Sequence, residues 1–568
     1  MIALFMSVLL PLVPQPQEFV PGEGRCPASV SVESRADDAL PSEGYRLEIM
    51  SNAVVAVASD PAGFFYAKQT LRQLRSAGDG TLPCGVISDA PKFPWRGLML
   101  DESRHFFGRE TVLKLLDAMA EFKLNVLHWH LTDNQGWRIP IPGYPELTRT
   151  VRPAENRTNF RDIVSGVVPP AAYTRDELEE VVRRARELHI RIVPEIEIPG
   201  HSKVVLTVEH ELGCFPPQEF AGGGPADKVR DVLCPGRDAT LRFYERVLDE
   251  VCEIFPDSVV HIGGDECDRS NWKRCPRCQE RMRKEGLRDV AELQAWTTAH
   301  FARYLASKGR RLMGWDEIAE GGLPASAMVM SWRGISTGVV AAKGGHDVVM
   351  TPNEFCYFDY EQCIEGDGRR YPVNWTVPLP LAKVYSFDPL RGIPSEFHRH
   401  VLGAQGNNWT EMTCTRDELE WKVWPRAAAL AEVLWSYPKR RDFGAFASRM
   451  EICRKRLVAD GISAAPVLPR IDRVHGELTR TGDRIEYVSG STRASVEIVS
   501  GDLVVTVNGR RLRTFKKDGC FVELEVIETG KGGFLVTARR DTSEIVAVIR
   551  FDGERVVARE RWDSIGNG

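Results

Sequence analysis

The residues best suited to chemistry are the adjacent carboxylates Asp265 and Glu266, which follow an apolar run and two glycines in His261-Ile-Gly-Gly-Asp-Glu266. An acidic pair in a surface turn is commonplace. A pair delivered at the end of an apolar strand is placed for general acid–base work, in which one carboxyl holds a proton and its neighbour a charge. Similar groups end other apolar runs: Asp101-Glu-Ser-Arg104-His105-Phe106, then His128-Trp-His130-Leu-Thr-Asp133-Asn134, then Glu195-Ile-Glu197-Ile-Pro-Gly-His201. Later runs deliver Trp315, Trp332 and the pair Trp409 with Glu411. Tryptophan fills cores in any fold, and His201 taken alone suits a structural role. Three tryptophans at three strand ends instead suit a box that stacks on a sugar ring or an acetyl group.

The runs that carry these groups are Gly97–Leu100, Asn125–Leu131, Ile190–Ile198, Val259–Gly263, Leu312–Trp315, Met328–Trp332, Val348–Met350 and Val401–Gln405. They alternate with helical patterns, one of which opens on the capping box Thr174-Arg-Asp-Glu177 and continues with Leu178, Val181, Val182 and Ala185 on one face. Eight strand–helix units predict a closed (β/α)8 barrel, whose active site lies at the C-terminal ends of the strands. The expected fold is therefore α/β: a catalytic (β/α)8 TIM barrel over 91–460, preceded by a small α+β domain over 1–90 and followed by a β-rich domain over 465–568.

In the first domain Tyr45–Ile49 and Ala53–Ala58 read as strands. A helix near Gly63 presents Phe64, Ala67, Leu71 and Leu74, and Ser76 to Thr81 reads as a loop. In the last domain Leu503–Val507, Phe534–Ala538, Ile545–Phe551 and Val556–Arg559 read as strands, with hairpin turns at Asn508-Gly509 and Asp552-Gly553.

A length of 568 residues implies two or three domains, and 43% hydrophobic with 27% charged residues is a globular balance. A net charge of −5 with scattered basic residues gives no footprint for nucleic acid, and the basic cluster Arg183 to Arg186 reads as a solvated helix face. No apolar run is long enough to span a bilayer. The opening MIALFMSVLLPLV lacks a positive n-region, is followed by no small-residue cleavage site, and its end reads as the first strand of the opening domain. A cytoplasmic location is expected, with export through this weak signal as the alternative. Thirteen cysteines cannot all pair within the chain. Cys275-Pro-Arg-Cys278, with Cys267 and Cys252 upstream, invites a zinc reading, but no second Cys-x-x-Cys follows at ribbon distance. Buried thiols, with no metal and no cofactor, are the expectation.

The segments Trp95-Arg-Gly-Leu-Met-Leu-Asp-Glu-Ser-Arg-His-Phe-Phe-Gly108, His130-Leu-Thr-Asp-Asn-Gln-Gly-Trp-Arg138, Pro194-Glu-Ile-Glu-Ile-Pro-Gly-His201 and His261–Glu266 resemble the family 20 β-N-acetylhexosaminidases. The resemblance runs from about residue 10 to about residue 450 and leaves the C-terminal tail outside. It implies exo-acting, retaining removal of terminal β-linked N-acetylglucosamine or N-acetylgalactosamine from an oligosaccharide or glycoconjugate. Most retaining glycosidases use two carboxylates that flank the bond, whereas Asp265 and Glu266 enter from one strand end. The family's solution is substrate assistance, in which the 2-acetamido oxygen attacks the anomeric carbon to give an oxazoline.

By the same resemblance Glu266 is the general acid, Asp265 holds the acetamido N–H, and His201 lies between Asp133 and Glu266 in a buried pair that tunes the acid. Trp315, Trp332 and Trp409 correspond to the walls of the acetamide pocket, and Tyr357 to a hydroxyl donor to the acetamide oxygen. Arg104, Asp359 and Glu411 correspond to the groups that bind the far hydroxyls. Trp375 stands near the place of a further family tryptophan, across Gly366-Asp-Gly-Arg-Arg370. Both epimers fit one acetamide pocket, and no feature sets an oligomeric state. Two alternatives remain open at this level: a catalytically silent carbohydrate-binding barrel, and a glycosidase with Glu197 as a conventional nucleophile.

Overall fold

Each of the eight apolar runs forms a strand in the computed structural model, which describes residues 10–149, 171–215, 232–362 and 379–467, and the strands of the tail between 477 and 560. The first domain contributes β1 (Glu18–Pro27), β2 (Val32–Ala36), β3 (Tyr45–Met50), β4 (Ala53–Ala58) and β5 (Thr81–Asp89). The eight runs are β6 (Trp95–Asp101), β7 (Val126–His130), β8 (Arg191–Glu195), β9 (Val259–His261), β10 (Arg311–Trp315), β11 (Met328–Ser331), β12 (Val348–Met350) and β13 (Val401–Asn408). They pair in parallel and in sequence, and β13 returns to β6 to close the barrel.

Two apolar layers hold the barrel. Trp95, Val126, Val193, Val259, Met313 and Met330 fill its interior, while Leu98, Leu100, Leu127, Ile192, Val260 and Leu312 point outward to the helices. This alternation is the period-2 pattern of a strand buried on both faces. The predicted capping box is present: the Thr174 side chain accepts from the Glu177 backbone N–H, and the Glu177 carboxylate answers at the N-cap. It starts the helix Arg175–Glu187, which packs on the barrel through Leu178, Val181 and Ala185.

The first domain is larger in sheet than its sequence pattern predicts. Its five strands lie in the order β1-β5-β3-β4-β2 beneath the helix Pro61–Ala77. The loop expected over Ser76 to Thr81 shrinks to 78–80, because the helix runs through Ala77 and β5 begins at Thr81. The end of the opening apolar run is not a strand. Leu10, Leu12 and Val13 are buried instead, with Val13 tied to the Gln73 side chain at 3.0 Å and β1 starting at Glu18. Three strands were missed, β1, β2 and β5; of these β1 and β5 carry Pro21, Gly22, Pro83 and Gly85, and their pairing shifts register between Pro21 and Arg25. Proline and glycine at a bulged edge erase the alternation that identifies a strand.

This domain seats on the barrel through buried polar contacts. Lys123 reaches Asp89 and the Tyr45 hydroxyl at 2.9 Å each, Arg96 reaches Glu43 at 2.8 Å, and the Trp435 indole donates to Asp89 at 2.9 Å.

The tail forms two antiparallel sheets. The first contains β14 (Glu477–Thr481), β15 (Arg484–Ser489), β16 (Thr492–Val499), β17 (Asp502–Val507) and β18 (Arg510–Phe515). The second contains β19 (Phe521–Thr529), β20 (Gly533–Arg540), β21 (Ile545–Asp552) and β22 (Arg555–Glu560). Asn508-Gly509 forms the expected β17–β18 turn, with φ of 49° and 74°. The pairing of Asp552 with Arg555 makes β21–β22 a hairpin, and Gly553 lies outside the described residues.

Among the described residues no helix is long and apolar enough to cross a membrane. The cysteines group differently from their spacing. Cys275 and Cys278 meet Cys214 and Cys234 in one buried cluster, while Cys252 lies on the helix Asp238–Ile254 outside it.

Candidate active site

The end of β9 sets the central pair. Gly263 and Gly264 take φ of 66° and 94°, a region glycine alone enters readily. The space is equally restrictive, since a Cβ on Gly263 would lie 1.9 Å from the Glu197 carboxylate. This turn swings Asp265 and Glu266 to the open end of the barrel. Glu266 and His201 themselves hold positive φ, 45° and 47°. Non-glycine residues in that region are uncommon and collect at functional sites.

His201 joins the acidic groups. Its Nδ1 lies 3.3 Å from Asp133, and its Nε2 lies 3.5 Å from Asp265 and 3.6 Å from Glu266. Burial disfavours the imidazolium, but Asp133 and Asp265 outweigh it and hold the pKa well above the usual histidine range, so the ring is a cation. The Glu266 side chain is 43% exposed, open enough to meet a ligand. The protein crowded around it still raises its pKa by desolvation; His201 opposes that shift, Asp265 adds to it, and Arg104 and Asp133 act in opposite directions more weakly. Asp265 is buried, and its Oδ1 has no hydrogen-bond partner among the described residues.

Arg104 links this group to the rest. It pairs with Asp133 at 2.8 Å, Asp101 at 3.1 Å and Glu411 at 3.5 Å, and its guanidinium lies 5.0 Å from the Trp409 ring. Asp359 completes the acidic side: burial, then the charge of Glu411, pushes its carboxyl up to about 7. The aromatic groups follow in contact order. Trp409 lies 5.7 Å from Trp315 and 6.4 Å from Tyr357, and Tyr357 stacks on Trp332 at 6.1 Å with 17° between the rings. Trp315 is fully buried and donates its indole N–H to Glu195 at 2.8 Å, so it underlies Trp409. All eleven residues singled out in the sequence thus form one connected set, while Trp375 lies outside the described residues.

Sequence reasoning left several supporting groups without a role. Asp101 accepts from the Thr410 backbone and hydroxyl at 3.1 and 3.0 Å and from His130 at 3.0 Å, tying the end of β6 to those of β13 and β7. Its pKa stays low because Arg104 and His130 overcome the effect of burial. Glu317 accepts the Trp332 indole N–H at 3.0 Å, and Asp316 accepts the Trp332 backbone N–H at 3.1 Å, which together hold that ring in place. Trp315-Asp316-Glu317 repeats the pattern of a carboxylate pair after a strand, and that was the available signal. Glu197 is buried against His130 at 3.3 Å, beneath Gly263.

Comparison with known proteins places the two N-terminal domains in one family. Residues 93–438 match the model of the glycosyl hydrolase family 20 catalytic domain, and residues 11–90 match domain 2 of the same family. The beta-hexosaminidase of Porphyromonas gingivalis is 40% identical over 459 residues, covering 78% of this chain but 58% of that protein's length. The beta-hexosaminidase of Akkermansia muciniphila is 35% identical over 403 residues, 70% of this chain and 80% of that one. Among solved structures, the family 20 exo-β-N-acetylglucosaminidase of Vibrio harveyi in complex with N-acetylglucosamine superposes with a TM-score of 0.74 at 27% identity, covering 81% of this chain and 79% of that one. A barrel with this site at its mouth and both matched domains in family order make the chain a member of glycosyl hydrolase family 20.

Proposed function

We propose that the protein is an exo-acting, retaining β-N-acetylhexosaminidase that releases terminal non-reducing β-linked N-acetylglucosamine or N-acetylgalactosamine by substrate-assisted catalysis. The observation that carries this reading is the placement of carboxylates. Asp265 and Glu266 stand side by side at the barrel mouth, while Glu197, the candidate for a conventional nucleophile, is sealed beneath Gly263. The attacking oxygen then comes from the substrate.

Glu266 protonates the glycosidic oxygen as the acetamide carbonyl oxygen bonds to the anomeric carbon and the leaving group departs. Its raised pKa suits a donor near neutral pH. Asp265 accepts the acetamido N–H through the carboxylate oxygen that lacks a partner, and stabilises the positive charge that develops on the closing ring. Glu266, now ionised, takes a proton from water as that water opens the oxazoline with retention. The His201 cation, fixed by Asp133, steadies both carboxylates through this exchange. Trp332, Trp409 and Tyr357, resting on Trp315, suit the acetamide methyl and carbonyl. Arg104, Glu411 and Asp359 suit the hydroxyls at the far end of the ring, and gripping those leaves no room for a further sugar.

The deciding experiment compares an aryl N-acetyl-β-glucosaminide with the matching β-glucoside. Loss of the acetamide removes the nucleophile, and intramolecular attack can supply about 7–11 kcal/mol of the barrier. The expected fall in kcat/KM is several orders of magnitude, with a 2-trifluoroacetamido sugar in between. Turnover of the plain glucoside within about tenfold, roughly 1.4 kcal/mol, would remove substrate assistance.

A further inference from the structure

Four cysteines scattered over 65 residues of sequence converge behind the catalytic loops, and no step of the reaction uses them. Cys214 follows the turn His210–Leu212, Cys234 lies on the return of the same β8 loop, and Cys275 and Cys278 belong to the β9 loop. All four side chains are buried, and their sulfurs lie within 4.8 Å of one another. Three of the separations are 3.5, 3.7 and 3.8 Å. A tetrahedron of sulfurs around zinc, with bonds of about 2.3 Å, has edges of about 3.8 Å. Thiol–thiol contacts can also reach such distances, but four sulfurs from two loops gathered around one point form the ligand set of a tetrathiolate.

The surroundings fit a structural ion. Val232, Trp272, Met282 and Leu293 close the cluster from solvent, leaving no open position for a substrate. Cys275 stands at the N-cap of the helix Pro276–Glu285, where the helix dipole favours a thiolate. We propose that Cys214, Cys234, Cys275 and Cys278 bind one zinc ion as a tetrathiolate that clamps the loop bearing His201 to the loop bearing Asp265 and Glu266. Binding displaces the thiol protons. Zinc has no redox chemistry and no geometric preference beyond the four ligands, which suits a clamp.

The clamp reaches the active site through short connections. The Leu233 backbone N–H donates to the Pro199 carbonyl at 2.9 Å, two residues before His201. The Cys234 N–H donates to the Leu212 carbonyl at 2.9 Å, and the Trp272 indole donates to the Leu233 carbonyl at 2.8 Å. Cys267, directly after Glu266, packs against the cluster. The β8 and β9 loops are thereby fixed to each other independently of the His201 contacts with Asp265 and Glu266.

The test is metal analysis of the full chain purified without chelator and under reducing conditions. About one zinc per chain is expected, lost in Cys214→Ser and in Cys278→Ser and retained in Cys252→Ser, which lies outside the cluster. Cobalt exchanged into the wild-type chain should give the strong visible absorption of a tetrahedral thiolate site, a readout that needs no variant. Stripping the metal should lower Tm by several degrees. Four freely alkylated thiols without metal, two disulfides within the cluster, or stoichiometric iron would each overturn the zinc assignment. An unchanged Tm on metal removal would overturn the clamp.

Discussion

As the proposed acid, Glu266 has to hold a proton that its neighbours pull in opposite directions. Burial and Asp265 raise its pKa, and the His201 cation lowers it. Removing either neighbour therefore moves the alkaline limb of kcat/KM, which reports ionisation of the acid in the free enzyme. In His201→Phe the cation that favours ionised Glu266 is gone, so the proton is kept to higher pH and the limb moves up. In Asp265→Asn the repelling charge is gone, so the limb moves down. Both variants lose rate, and pH profiles of kcat/KM on one aryl substrate separate the signs. Shifts in the same direction would refute the coupling. For the acid itself, Glu266→Gln should lose about 10²–10⁴-fold on a poor leaving group. It should lose much less on an activated aryl glycoside, whose oxygen departs with little protonation. Equal losses on both substrates would remove Glu266 from the role of acid.

At the scale of elements, the site depends on how β9 ends. The strand is three residues long, and the two glycines that follow turn the chain outward over Glu197. Gly263→Ala would place a methyl 1.9 Å from that carboxylate and force alanine into φ 66°. The expected cost is roughly 1–3 kcal/mol of stability from backbone strain, with at least as much again from the clash. Asp265 and Glu266 would be displaced along with the turn. Denaturant unfolding and kcat measured on the same preparation check this, and an alanine variant of unchanged midpoint and rate would show that the turn is not constrained.

For the molecule as a whole, the candidate site is built by the barrel alone. Every proposed site residue lies between Arg104 and Glu411, and the chain continues to pack on the barrel up to Val467, which is buried. The Ser463 backbone N–H donates to Glu420 at 2.7 Å, and the Ala465 N–H donates to the Trp424 carbonyl at 3.0 Å. A chain that ends after Val467 should keep kcat/KM within about twofold of the full chain, roughly 0.4 kcal/mol. A folded truncation without activity would show that the tail sheets contribute to the site.

The eight barrel strands and the helix start at Thr174 were legible in the sequence because they rest on local rules: short apolar runs, periodicity and a capping box. The eleven candidate residues were picked out by motifs at strand ends and by the family resemblance, and the fold brings them into one connected set. Strands β1 and β5 were not legible, since their prolines and glycines imitate loop chemistry and only the pairing of β1 with β5, and of β5 with β3, makes them strands. The pairing of cysteines was not legible either. Spacing pointed from Cys275 and Cys278 to Cys267 and Cys252, whereas the fold brought Cys214 and Cys234 from another loop. The burial of Glu197 was likewise a tertiary result. In the sequence Glu197 is one more acid at a strand end, and only the turn of Gly263 over its carboxylate shows it buried. Local pattern reports what one segment prefers; which segments meet, and which groups one covers on another, is decided by closing the barrel.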